Sequence, residues 1–233
     1  MKIKRITRLT VLVAVMLSTT SCLKSIVKST IEKEPIANKI ALHSNPRKGD
    51  YAIYKVVPSS KALQDPTAKM LQGETTVEIK ITDVKNGLFV LQQKTKTTMV
   101  ASSFMNDLVF EMYCDKSGNI KKAVLIDKSS GERKNLKIAA PGEKNYNMLK
   151  TVSRAEMSKY GIPSSVKTSA GNFSVSDAAS NNAEKNPENG FVIYVMNNKV
   201  KFKHIASFAV YKNSDSGEVE SSKNLVLVEQ GRK

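Results

Sequence analysis

The sequence predicts a mainly β domain of the α+β kind: a curved antiparallel sheet, a half-barrel or open barrel, with one covering helix. Three observations lead there. Val77, Ile79 and Ile81 alternate with Thr76, Glu78, Lys80 and Thr82, the period of two that a half-buried strand requires. Strand-like runs follow one another across short polar turns, the pattern of an antiparallel meander. A single segment, residues 144–160, changes to a spacing of three: Tyr146, Leu149 and Val152 recur, and Gly161 and Pro163 then stop it as a helix end is stopped.

Taken in order, residues 22–47 read as a tether of Lys, Ser, Glu, Asn and Ile interrupted by Pro35 and Pro46, with a short helix over Ser29–Glu34. The domain spans 48–233. Its first strand is Tyr51–Val57, rich in β-branched and aromatic residues and closed by Pro58. Residues 59–72 form a loop with a helical turn. The strand at 76–82 then reaches Asn86-Gly87, a hairpin signal because both residues tolerate positive φ, and the return strand runs from Leu88 towards Val100. Further strands follow at 107–115, 120–127 and 132–139, across the turns Lys116–Asn119 and Lys128–Gly131. After the helix come strands at 165–175, 190–203, 204–212 and 219–229. Residues 176–189 hold no Phe, Ile, Leu, Met or Val and read as an exposed loop.

The chain has 233 residues, 40% of them hydrophobic, enough for one core of real size. Ordinary Gly and Pro counts of 11 and 7 exclude collagen and low-complexity disorder. One long apolar stretch, beginning at Leu9, excludes a polytopic membrane protein. The formal charge is +16, and about +12 remains once Lys2, Lys4, Arg5 and Arg8 are removed with the leader they occupy.

That leader occupies residues 1–21. A basic start is followed by the apolar run Leu9–Leu17, too short to span a bilayer and suited to a signal peptide. Ser18-Thr19-Thr20-Ser21-Cys22 then places small residues before a thiol. An ordinary signal peptide with Cys22 incidental is the other reading. The whole arrangement resembles a bacterial lipobox, in its relaxed, spirochaete-type form, because Thr19 stands where an aliphatic residue is usual. That resemblance implies that Cys22 is the lipidation site, acylated on its sulfur and, after cleavage, on its amine, so that the membrane is a partner through the acyl chains. Leu23 and Lys24 lack the acidic residue that retains enteric lipoproteins in the inner membrane, which by resemblance leans to the outer membrane of the cell envelope.

With Cys22 lipidated, only Cys114 remains, and no intramolecular disulfide can form. Cys114 closes an apolar strand without a local His or cation. It reads as a buried small hydrophobe rather than a nucleophile or an intermolecular bridge.

Gly49-Asp50-Tyr51, the Gly118 and Gly131 turns, Ser169–Phe173, Ser207–Tyr211 and Leu225–Glu229 together resemble envelope proteins of the half-β-barrel kind, which include the lipoprotein carriers and receptors of the Lol system. The resemblance implies a concave face that holds acyl chains or another apolar ligand. The inward-pointing candidates on the alternating strand are Val77, Ile79 and Ile81.

No catalytic constellation is present. There is no G-x-S-x-G, no H-E-x-x-H and no phosphate loop, so no enzyme and no cofactor is expected. His204 lacks neighbours at metal-ligand spacing, and no metal is expected. Asp127 and Glu132 flank a turn and could pair as acid and base, although Lys128, Arg133 and Lys134 make a solvated charged turn the simpler reading. Lys199, Lys201 and Lys203 fall two apart on a presumed strand, as do Lys94 and Lys96. Such a face attracts anionic glycans or lipid headgroups, or simply keeps the sheet soluble. Nucleic acid is not an expected partner, since the strands lack aromatic residues interleaved for stacking. The leading expectation is therefore a lipid-anchored envelope protein that binds an apolar or amphipathic ligand. A surface adhesion or structural lipoprotein with a basic face is the alternative.

Overall fold

The computed structural model describes residues 20–57, 73–143, 145–146, 149–181 and 185–233. The apolar run Leu9–Leu17 and the loop at 59–72 lie outside the described residues. Helix α1 (Thr20–Lys33) comes first, then β1 (Asp50–Val56), β2 (Thr75–Lys85), β3 (Leu88–Thr97) and a 3-10 helix (Val100–Asp107). Next are β4 (Leu108–Cys114), β5 (Ile120–Asp127), β6 (Glu132–Asn135), β7 (Lys150–Thr151) and α2 (Arg154–Lys159). The chain closes with β8 (Ser165–Thr168), β9 (Gly171–Ser174), β10 (Asp177–Ser180), β11 (Phe191–Met196), β12 (His204–Lys212) and β13 (Val219–Arg232).

Eleven strands form one sheet in the order β6-β5-β4-β3-β2-β1-β13-β12-β11-β10-β7, and β8 and β9 pair separately. The sheet is antiparallel and open, with β6 and β7 at its two edges. The predicted mainly β class is therefore found, as an open sheet rather than a closed barrel. Register explains the core: Ile81 pairs with Leu91, Leu91 with Met112 and Met112 with Ala123, so one buried row crosses β2 to β5 on a single face. On β11 the buried Phe191, Ile193 and Val195 alternate with half-buried neighbours and pair with Val210, Phe208 and Ala206 of β12. The β2–β3 hairpin turns at Asn86 and Gly87 with φ of 50° and 76°, the left-handed pair that a two-residue turn of matching twist demands.

Four expectations are corrected. Among the described residues, the helix predicted over 144–160 is the six residues of α2, and Lys150–Thr151 preceding it is an edge strand paired with β10. Tyr146 thus lies in a turn, and Leu149 and Val152 flank β7 on either side, none of them in a helix. α2 is delimited by a capping box: the Ser153 hydroxyl accepts from the Glu156 N–H, and the Glu156 carboxylate accepts from the Ser153 N–H. The expected exposed loop 176–189 begins with β10, whose Ala178, Ala179 and Ser180 are buried because they are short enough to lie under neighbouring strands. The expected strand 165–175 is the hairpin β8–β9.

The fourth correction concerns the tether. Much of it is built into the domain: Val27 and Ile31 of α1, and Ile36 and Ile40 beyond it, pack against the core. Ile36 bridges in parallel to Ile138, and Lys39 bridges to Asn119. The Ile40 carbonyl approaches Gly118 so closely that a Cβ there would sit 1.9 Å from its oxygen, so only glycine fits. The covering helix of the domain is α1, drawn from the predicted tether. No helix among the described residues is long and apolar enough to cross a membrane.

Candidate functional site

α1 is fixed at its start by charge. Lys24 Nζ lies 2.9 Å and Lys28 Nζ 3.5 Å from Asp127 Oδ2, and Asp127 is almost wholly buried at the end of β5. Lys28 also pairs with Glu132, and Lys134 with Glu32 one helical turn further on. Burial of Asp127 works against its ionisation. Donation from the Ser129 hydroxyl and Lys24 outweighs it and holds the carboxyl well below the usual carboxylate range. Asp127 and Glu132 are therefore consumed in docking α1 and form no free acid–base pair. Cys22 is the third residue of the helix, two positions before Lys24.

At the opposite end of the sheet a second carboxylate is buried. Asp50, fully inaccessible at the start of β1, accepts from Arg232 Nε at 2.8 Å and from the Arg47 backbone N–H at 2.9 Å, and Lys201 Nζ stands 3.2 Å away. Arg232 and Lys201 share Oδ1, and His43 Nε2 lies 2.9 Å from Oδ2, the oxygen that accepts from the Arg47 N–H. The Asn45 N–H donates to His43 Nδ1, which leaves the ring proton on Nε2, facing Asp50. Burial raises the Asp50 pKa, but the bonds from Arg232, His43, the Arg47 backbone and Lys201 prevail and bring it down to about 2. This hub ties together the segment before β1, the β11–β12 turn and the end of β13. Sequence reasoning missed it; the available signal was one aspartate opening an otherwise apolar strand.

The predicted ligand-facing residues do not form an open site. Ile81 is completely buried, Ile79 packs partly against the core, and Val77 is half-buried beside Tyr54 across β1. An apolar cleft of about 290 Å³ lies elsewhere, lined by Ala37, Ile40, Ala41 and Leu149, with Asn38, Lys39 and Asn145 supplying polar groups. Leu149 is 44% exposed there.

Lys199, Lys201 and Lys203 lie in the β11–β12 turn, not on a strand face. Lys203 closes that turn at φ 59°, and the Lys203 carbonyl accepts from the Asn197 N–H. Lys94 and Lys96 are in β3, with Lys96 opposite Thr76 near the other end of the sheet, so the structure does not unite the two basic groups. His204 is half-buried between Tyr54 and Tyr194, with ring centroids at 5.2 and 5.5 Å, and its Nε2 is inaccessible. Its Nε2 has no partner, and burial depresses its pKa to about 4. Cys114 is fully buried, and burial followed by the nearby Asp115 charge pushes its thiol up to about 12, so a thiolate is disfavoured.

No family model matches the chain, and no curated protein matches it. A solved structure described as a "putative lipoprotein" from Parabacteroides distasonis aligns over 82% of this chain and 99% of its own, with a TM-score of 0.37 and 10% identity. A likeness at that level assigns neither family nor function.

Proposed function

We propose that the chain is a lipid-anchored protein of the bacterial envelope that presents its sheet domain as a binding module, attached through acylated Cys22. The observation that supports this reading is the placement of Cys22 in the first turn of a helix pinned to the folded body by Lys24 and Lys28. Acyl chains at that position hold the domain close to the bilayer surface, since only Leu23 separates Cys22 from the ion-paired Lys24. The lack of an acidic residue at positions 23 and 24 favours the outer membrane. The test is metabolic labelling with a radioactive fatty acid: incorporation into the parent chain and none into Cys22→Ala is expected, and an unlabelled parent or a labelled variant overturns the anchor.

The ligand in this reading is amphipathic, with an apolar tail seated in the Ile40–Leu149 cleft. That volume is at the lower bound of small-ligand pockets, and its walls are apolar with a few polar groups. Titration with a fluorescent fatty acid is expected to saturate, and Ile40→Trp, which fills the cleft, is expected to weaken binding at least tenfold. Absence of saturable binding removes the ligand from the proposal.

A further inference from the structure

The two ends of the sheet differ in charge. At the end where α1 begins, ion pairs join Lys24 and Lys28 to Asp127 and Glu132, Lys55 to Glu74, and Lys212 to Glu188, while Lys96 and Lys128 stand apart from them on β3 and in the turn after β5. The opposite end carries Arg47 and Lys48 before β1 and Lys85 at the end of β2. It also carries Lys199, Lys201 and Lys203 in the β11–β12 turn, with Arg232 and Lys233 closing β13. Three carboxylates lie among these eight cations: Asp50 in the hub, Asp83 near Lys48 and Lys85, and Glu229 near Lys233.

Holding such an excess of like charge on adjacent strand ends, about 5 Å apart and so closer than a Debye length, costs the folded state. The hub fixes it in place nonetheless, because Arg232 and Lys201 are bonded to a carboxylate that has no access to water. The outer cations remain open to a partner, because their pairs are solvent-exposed and two of them share one carboxylate: Lys48 and Lys85 both pair with Asp83 and Lys233 with Glu229, yet their side chains are 67%, 62% and 65% exposed. Their layout is linear. They follow the ends of β2, β1, β13 and the β12 turn, which are neighbours in the sheet, so the row extends across three strand spacings, about 14 Å. A small anion needs donors that converge on one point. A row of separated cations fits a chain of separated negative charges.

We propose that this end of the sheet docks a linear polyanionic glycan. The direction it faces rests on the anchored reading: Cys22 lies at the other end, about 36 Å away along the eleven residues of β2, so the row points away from the anchoring bilayer and its headgroups. Binding itself does not depend on the anchor.

The test uses the mature full-length chain and its Cys22→Ala form, with heparin as the sulfated linear probe and phosphatidylglycerol vesicles as the lipid probe. Replacing Lys48, Lys85, Lys199 and Lys233 with Gln is expected to weaken heparin binding at least tenfold, leaving the melting temperature nearly unchanged. Replacing Lys55, Lys96, Lys128 and Lys212 is expected to change it less than twofold. Equal loss in both sets, no loss in the first, or vesicle binding that matches heparin charge for charge overturns the proposal. Undiminished heparin binding by Cys22→Ala is expected even if that variant shows the anchor reading to be wrong; loss there overturns the glycan surface instead.

Discussion

The Asp50 carboxylate and the His204 Nε2 are inaccessible polar groups of opposite character, and pH separates them. The Asp50 carboxyl titrates near 2 in the fold and near 3.9 unfolded, so its contribution is complete above about pH 4 and is lost as the pH falls through about 2. Asp50→Asn leaves Arg232 and Lys201 without their counter-charge. It is expected to cost about 3–5 kcal/mol in urea unfolding at pH 7 and to flatten the acid limb between pH 4 and 2. His204 is a base whose pKa is depressed to about 4 from about 6.5, so its penalty starts higher: stability falls as the pH drops from about 6.5 towards 4. Phenylalanine there keeps the stacking between Tyr54 and Tyr194 and removes the orphan nitrogen. His204→Phe is expected to stay within about 1 kcal/mol of the parent at pH 7 and to lose the decline between pH 6.5 and 4. If the decline persists, other groups cause it.

Among the elements, α1 carries the most consequence. Lys24→Ala with Lys28→Ala leaves Asp127 nearly inaccessible without a cation. The double variant is expected to lose about 3 kcal/mol and to show faster amide exchange across residues 24–34 than in β4. Unchanged exchange would mean that Val27 and Ile31 alone hold the helix. Strands were legible in the sequence where local pattern and local structure coincide: β5 and β12 run over the predicted residues, and Asn86-Gly87 makes the predicted turn. Elements set by distant contacts were not. α1 was hidden by its polar composition, although Leu23, Val27 and Ile31 fall four apart and Pro35 follows its end. Residues 197–203 have the composition of a strand but turn over, because Asn197 accepts the Lys199 N–H and Lys203 adopts positive φ. The Asp50 hub joins residues more than 180 positions apart, and no spacing rule reaches that far.

For the whole molecule, sheet polarity organises the account. One end carries the start of α1 and therefore Cys22, and the opposite end carries the basic row, so that in the reading proposed above anchoring and partner binding are separated along the strands. Sequence reading found the excess of positive charge but assigned it to a sheet face, since two lysine groups at period two cannot reveal which strand ends meet. The measurement that bears most directly on the central claim is the intact mass of the mature protein purified from a bacterial envelope, with sequencing of its N-terminal peptide. The expected result is a chain that begins at Cys22 and carries acyl chains on its sulfur and amine. A chain that begins at another residue, or an unmodified Cys22, would contradict it.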